Sequence, residues 1–235
     1  MSKLKFALLA GAAATGFALS ANALAYQAGD VVVRFGAATV EPKEQSEQVL
    51  PHSILNADNR VGLNSNTTAG ISGTYFLDKN LAIEVLGALP FKHDIVGAGA
   101  LQGLDVGSTK HLPPTVSLQF YPKVSESFHP YFGIGLNYTV FFGEDTTDEL
   151  NAALTTVLST PITKTDLKLD NSMGLAFQVG CDYQIDKNWA INAAVWKIDI
   201  DTTAHVRVNG GDSDATKFDV SIDPWAYMVG AAYKF

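Results

Sequence analysis

The amino-acid sequence predicts an all-β fold: an eight-stranded antiparallel transmembrane β-barrel with short periplasmic turns and long extracellular loops. Three features predict it: an export signal at the N-terminus, eight stretches in which apolar and polar residues alternate, and connections that fall into a short and a long class. A strand in a bilayer needs an apolar face towards the lipid, a polar or small face towards the lumen, and aromatic residues at both interfaces.

The N-terminal segment has the organisation of a secretory signal peptide. Lys3 and Lys5 precede a short apolar core, and the small-x-small sequence at 23–25 is a cleavage site. The core is too short for a spanning helix, and no later run reaches the roughly 18 apolar residues that one needs. We therefore divide the chain into a signal peptide, 1–25, and a barrel, 26–235, in the outer membrane of a Gram-negative bacterium. A soluble exported β-protein is the alternative.

The last strand shows the alternation most clearly. From Trp225 to Phe235 the odd positions are apolar with aromatic residues at both ends, and the even positions are small or polar. The same period of two, bounded by turn residues, predicts seven further strands. The eight predicted strands span residues 30–40, 67–76, 81–90, 112–121, 130–142, 172–185, 189–201 and 225–235.

The connections orient the barrel. Three are short, and short turns belong to the periplasmic side of such barrels. The sheet must close on itself, because an open edge in hydrocarbon would leave backbone groups unpaired. In the third long loop, leucines at helical spacing after Asp148 predict a short helix over 148–159. The four predicted long loops span roughly residues 41–66, 92–111, 143–171 and 205–217.

Composition excludes several classes of function. The formal charge of −8 becomes −10 once Lys3 and Lys5 are removed, which argues against a nucleic-acid partner. Cys181 is the only cysteine, so no internal disulfide can form, and in the predicted register it faces lipid as a small apolar residue. No motif indicates a cofactor, a catalytic nucleophile or an enzyme, and His93 and His111 lack the spacing of metal ligands.

Four charged residues point into the predicted lumen. Arg34 and Glu84 are each about four residues from the periplasmic start of their strands, and Asp182 and Lys234 lie nearer the periplasmic end. The lumen of an eight-stranded barrel is just wide enough for side chains to fill it, and opposite charges there are costly unless they pair. We infer that these residues form a polar plug in the periplasmic half; isolated solvated charges are the alternative.

Three prolines mark one seam of the predicted barrel. Pro90 ends the third strand, and Pro113 and Pro114 begin the fourth. Because proline cannot donate to a β-ladder, the extracellular end of this seam lacks hydrogen bonds. One interpretation is a lateral gate there, flanked by Leu89 and Leu112. The alternative is that the prolines only terminate the two strands.

Carboxylates collect at the predicted outer rim. They could hold divalent cations that bridge lipopolysaccharide phosphates, or form a solvated rim. Outer-membrane lipid and lipopolysaccharide are therefore the expected partners of the outer surface. The rim carboxylates are Glu144, Asp145, Asp148, Glu149, Asp199 and Asp201.

Six motifs, in order along the whole barrel, resemble the OmpW family. The resemblance implies a narrow, partly hydrophobic lumen and a channel for passive uptake of small hydrophobic molecules, with lateral release into the bilayer. The alternative is a non-transporting barrel that serves as an envelope structural protein or as a phage or bacteriocin receptor. The motifs are ALPFKH at 88–93, HLPPT at 111–115, NYTVFF at 137–142, DIDTT at 199–203, DPW at 223–225 and AYKF at 232–235.

Overall fold

The computed structural model describes residues 26–43, 45–51 and 58–235; the predicted signal peptide, 1–25, lies outside the described residues. Within these ranges the chain forms fifteen strands and one helix. They are β1 (Val31–Glu41), β2 (Gln45–Ser46), β3 (Asn59–Leu63), β4 (Asn66–Phe76), β5 (Leu81–Ala88), β6 (Phe91–Gly99), β7 (Asp105–Leu112), β8 (Thr115–Phe120), β9 (Phe128–Thr146), α1 (Asp148–Leu158), β10 (Thr165–Leu169), β11 (Ser172–Gln184), β12 (Trp189–Ile198), β13 (Asp201–Val208), β14 (Thr216–Ser221) and β15 (Trp225–Lys234).

Eight of the strands form a closed antiparallel barrel. Their order is β11-β12-β15-β1-β4-β5-β8-β9, and β9 pairs with β11 to close the ring. Closure removes the sheet edges whose backbone groups could not be satisfied in hydrocarbon. The predicted eight-stranded barrel is confirmed. Its boundaries differ by a few residues, chiefly at the extracellular ends of β5, β8, β9 and β12.

The strand β9 shows how the alternating sequence produces the two faces of the wall. Phe132, Ile134 and Leu136 are exposed on the outside, while Tyr131 and Asn137 are buried in the lumen. Because successive side chains of a strand point to opposite faces, an apolar residue at every second position covers the outside with an apolar band. This band is the surface that lipid covers.

Beyond the barrel the chain continues on the extracellular side as two small sheets. β3, β6 and β7 extend the barrel sheet through the upper part of β9, and β10, β13, β14 and β2 form a separate four-stranded sheet. The sequence analysis treated these segments as loops, which is wrong for much of their length. The hairpins continue the same alternation past the membrane, as the buried and exposed positions of β6 show.

The helix predicted in the third long connection is confirmed as α1. It begins after Thr147, whose Oγ1 accepts a hydrogen bond from the Leu150 amide at 3.1 Å, and ends at Ser159 in the left-handed conformation. Leu150 and Leu154 are buried in the apolar interior between the two small sheets. In the part of the chain that the structure describes, no helix has both the length and the apolar character needed to cross a bilayer.

Candidate functional site

A buried ion pair crosses the lumen at its periplasmic end. Arg34 of β1 donates from Nε and Nη2 to the two carboxylate oxygens of Asp182 of β11, at 3.0 and 2.6 Å. Both side chains are 0 % exposed. The sequence analysis placed Asp182 nearer the periplasmic end than Arg34, whereas the two are in direct contact. Barrel strands are tilted and staggered, so residues at different distances from their strand ends meet at one level.

Glu84 brings a second carboxylate to the same guanidinium. Its Oε2 lies 3.6 Å from Arg34 Nη1 and accepts a hydrogen bond from Ser72 Oγ at 3.1 Å. One cation therefore faces two carboxylates inside the lumen. Neutral groups form hydrogen bonds with Arg34 and Asp182, whereas Glu84 Oε1 is buried and has no hydrogen-bond partner among the described residues. Thr74 and Tyr121 accept from Arg34 at 2.6 and 2.9 Å, while Tyr26 and Asn192 each donate to Asp182 at 2.8 Å.

Lys234 does not join this cluster. It is the last residue of β15, and its Nζ lies 3.6 Å from Asp30 Oδ2 at the periplasmic rim, where both side chains are partly exposed. In the register of the sheet Lys234 pairs with Val32, two residues before Arg34 and nearer the periplasmic start of β1. The polar plug therefore consists of Arg34, Glu84 and Asp182, without Lys234.

Glycines let large side chains fill the lumen around the polar plug. A Cβ at Gly180 would lie 2.4 Å from the Tyr131 ring, and a Cβ at Gly133 would lie 2.8 Å from Gln178 Oε1. The Arg34 guanidinium carbon is 5.1 Å from the centroid of the Tyr131 ring, a cation–π distance. The lumen at this level is packed with side chains, as expected for a barrel of eight strands.

The hydrogen-bond ladder is interrupted at the seam that the prolines mark. Pairing of β5 with β8 ends at Leu86 and Thr115, and pairing resumes only between Phe91 of β6 and His111 of β7. Residues 87–90 and 112–114 face one another across this break without pairing. These ranges contain all five residues of the predicted gate.

The two margins of the break are anchored to their other neighbours. The Leu89 amide donates to Ala69 O at 2.9 Å, and the Tyr138 amide donates to Pro114 O at 3.0 Å. Leu89 is 61 % exposed on the lipid side, whereas Pro113 is buried. The residues on each side of the break are thus hydrogen-bonded to their other neighbouring strands, while their backbones are not paired with one another across the break.

One apolar cavity lies on the inner side of this seam, and a second lies beyond it in the extracellular extension. The smaller, of about 30 Å³, is lined by residues of the seam and by side chains across the lumen, including Gly87, Phe91, Pro113 and Trp196. The larger, of about 70 Å³, lies between the two small extracellular sheets and is lined almost entirely by carbon. Its walls include Ile95, Leu101, Leu154, Leu167 and Phe218.

An open groove of about 640 Å³ shares part of its lining with the larger cavity. It lies between the upper part of β9 and β10, where the two extracellular sheets do not pair. Phe141, Leu167 and Leu169 line both the groove and the cavity. These three side chains therefore lie between the groove and the apolar cavity.

Two histidines meet at the barrel end of the larger cavity. His93 Nε2 lies 2.9 Å from His111 Nε2, and His93 Nδ1 lies 2.5 Å from the Asn64 carbonyl oxygen. From the sequence, these histidines were noted only as lacking the spacing of metal ligands, and their contact was not predicted. The alternation carried a signal for His93, which shares the buried face of β6 with Phe91 and Ile95, whereas His111 shares the buried face of β7 with the polar Thr109.

The rim carboxylates separate into two groups. Glu149 accepts a hydrogen bond from the Asp105 amide at 2.9 Å, and Glu144 accepts one from the Leu169 amide at 3.3 Å, so both hold the backbone of the extension. Asp199 and Asp201 instead gather with Asp223, each offering a carboxylate oxygen within 4.8 Å of the others. Asp223 was not among the predicted rim residues.

A closed barrel with an apolar outer band, a filled polar lumen and an extension on one side defines a small outer-membrane β-barrel protein. A model of the OmpW family matches residues 27–235. The chain belongs to the OmpW family, as the motifs predicted, and it resides in the outer membrane of a Gram-negative bacterium.

Relatives cover nearly the full length of the chain. It is 42% identical over 220 residues to outer membrane protein W of Vibrio cholerae, which is 92% of this chain and 93% of that protein. It is 28% identical over 218 residues to outer membrane protein AlkL of Ectopseudomonas oleovorans, 92% and 86% of the two chains. The crystal structure of OprG from Pseudomonas aeruginosa is similar with a TM-score of 0.76 at 36% identity, covering 89% of this chain and 97% of that one.

Proposed function

We propose that the protein is a passive channel for small hydrophobic molecules and releases them sideways into the bilayer. The observation that carries this proposal is the break in the seam between β5 and β8. It lies beside an apolar cavity and above a lumen that the polar plug fills. A molecule that enters from outside then has an apolar route to the lipid and a polar barrier towards the periplasm.

The route begins at the groove between β9 and β10. Phe141, Leu167 and Leu169 connect it to the larger cavity, and Phe91 lines the smaller cavity at the seam. Apolar walls favour a hydrophobic solute because its transfer out of water releases roughly 25 cal/mol for each Å² of buried apolar surface. Polar solutes gain nothing from these walls and lose their hydration.

The seam provides the exit. Pro90, Pro113 and Pro114 have no amide hydrogen to donate, so the two margins can separate without breaking a hydrogen bond between them. Leu89 lies on the lipid side of the opening and continues the apolar surface into the bilayer. A solute can therefore move outward through the seam by displacing side chains, without breaking backbone hydrogen bonds between the two strands.

Whole-cell uptake tests this function. A host that lacks its own OmpW relative is compared with and without the protein, using a dye that fluoresces in lipid and a polar sugar of similar size. We expect faster entry of the dye alone. Pro90→Ala restores a backbone donor at the seam and should slow entry, whereas Pro122→Ala, in a periplasmic turn, should not.

The results separate the two parts of the proposal. Dye entry that is equal with and without the protein would contradict the channel and favour a structural or receptor role. Entry that is fast in the wild type and equally fast in Pro90→Ala would leave the channel standing and remove the lateral gate. Folding of each variant is checked by its heat-dependent shift in gel mobility.

A further inference from the structure

The histidine pair stands where the proposed route narrows. His93 and His111 line the larger cavity, and Phe91, whose ring centroid is 5.5 Å from that of His111, lines the smaller cavity at the seam. On the other side, the centroid of Phe141 is 5.8 Å from that of His111. A solute that moves from one cavity to the other passes this stack of rings.

The hydrogen bonds fix which ring nitrogens carry hydrogen. The Asn64 carbonyl oxygen can only accept, so His93 Nδ1 must be the donor in the 2.5 Å contact. In a neutral His93 the other nitrogen, Nε2, is then an acceptor. His111 Nε2 must therefore donate across the 2.9 Å contact, which leaves His111 Nδ1 without a hydrogen.

His111 is held in this neutral form. Burial and the neighbouring His93 lower the pKa of His111 to about 3. A charge placed among the carbon side chains of the cavity would lose its hydration without compensation. His111 is therefore uncharged at neutral pH.

His111 Nδ1 is an acceptor with no partner. The side chain is 4 % exposed, and within the described residues no group donates to this nitrogen. An unsatisfied buried acceptor costs free energy that a matching donor recovers. The walls around it are almost all carbon, so the nitrogen is the available polar group at this point of the cavity.

We propose that His111 Nδ1 is a specificity-determining group that accepts a hydrogen bond from the solute. The preferred class is a small apolar molecule with one neutral donor, such as a hydroxyl group, over one of equal size that lacks a donor. This inference rests on the proposed channel function and narrows its substrate class. His93 acts as a positioning residue, because its bond to Asn64 fixes the tautomer of the pair.

Binding of three matched aromatics to the full protein in lipid nanodiscs tests the proposal. 1-Naphthol carries a donor, 1-methoxynaphthalene carries only an acceptor, and naphthalene carries neither. One hydrogen bond of ordinary net strength predicts that naphthol binds about three- to tenfold more tightly than the methyl ether, after subtraction of binding to empty nanodiscs. The His111→Phe variant keeps an aromatic ring and should bring this ratio close to one.

A matched control is His129→Phe. His129 is also buried and also has an unpartnered ring nitrogen, but it lies near the periplasmic turn beside Tyr26. We expect this variant to keep the preference for naphthol. A preference that survives in His111→Phe, or a wild type without one, would overturn the proposal.

A second measurement does not depend on any variant. In protein labelled with nitrogen-15 at histidine, the His111 Nδ1 resonance should shift on addition of naphthol and stay in place with the methyl ether. Shifts of equal size with both solutes would overturn the proposal while leaving the channel intact. If none of the three solutes binds, the proposed function fails together with this inference.

Discussion

The guanidinium of Arg34 and the carboxylate of Asp182 form two parallel hydrogen bonds, at 3.0 and 2.6 Å, between strands on different sides of the lumen. Such bidentate pairing is the strongest geometry available to these groups. The pair lies in the lumen of an eight-stranded barrel, which is just wide enough for side chains to fill. The stability and the ion tightness of the barrel should therefore both depend on this pair.

Removing one partner of the pair should be costly. In Asp182→Asn the Arg34 cation stays buried with only Glu84, at 3.6 Å, to balance it. Breaking a buried pair in this way destabilises a protein by about 3–5 kcal/mol. Urea unfolding in lipid vesicles measures the loss. Lys234→Met at the rim is the control, and an equal loss in that variant would contradict a special role for the buried pair.

Ion conductance tests the barrier directly. Neutralising both Arg34 and Glu84, as Arg34→Met with Glu84→Gln, keeps most of the side-chain volume but removes the cation and leaves the buried Asp182 carboxylate without its partner. We expect conductance steps in planar bilayers to rise above those of the wild type, because the lumen loses the ionic contacts that hold its side chains together. Conductance equal to that of the wild type would show that packing around Tyr131 alone closes the lumen.

The glycine under Tyr131 should be intolerant of a side chain. A Cβ at Gly180 would lie 2.4 Å from the ring, which must then move away from Arg34 and Asn192. Overpacking of this kind costs about 1–3 kcal/mol. Gly73→Ala is the matched control, since a Cβ there meets nothing within 4 Å. Urea midpoints that fall equally in both variants would contradict the packing argument.

The extracellular sheet should loosen as the pH rises. His205 Nδ1 lies 2.6 Å from Asp214 and Nε2 lies 3.3 Å from Asp170, and hydrogen bonds to these two carboxylates raise the pKa of His205. Because the pKa of His205 is raised in the folded state, its hydrogen bonds to the two carboxylates stabilise the fold fully below about pH 6.5, the ordinary pKa of histidine. This stabilisation is lost as the pH rises through the folded pKa.

Hydrogen exchange of β13 and β14 measures this effect. Protection of their amides, corrected for the intrinsic rate, should fall between pH 6 and pH 9, and His205→Gln should remove the dependence. The hydrogen bonds of Asp214 with His205 and Arg207 lower the pKa of Asp214. We therefore expect amide protection to fall a second time, as the pH drops below about 4 and Asp214 is protonated. Amide protection that does not change between pH 6 and pH 9 would contradict the predicted role of His205.

Contacts between side chains of distant strands could not be predicted from the sequence of any single strand. Arg34 and Asp182 are 148 positions apart, and their meeting depends on the tilt and stagger of the closed sheet. The pair of His93 and His111 likewise depends on the register of the hairpin, which places Phe91 opposite His111. The alternation along each strand predicts the face on which these side chains lie, but it does not predict their level along the barrel axis.

The sequence by itself determined the barrel. A strand in lipid needs an apolar residue at every second position, which the alternation along β9 shows, and such strands must form a closed sheet because an open edge would leave backbone groups unpaired. The sequence also marked the seam, because proline cannot donate. Only the tertiary structure decided which charges share the polar plug, why Lys234 stays at the rim, and that the long connections fold into two sheets around an apolar cavity. Those outcomes arise from strand stagger and from packing between distant segments, and neither is encoded in the order of neighbouring residues.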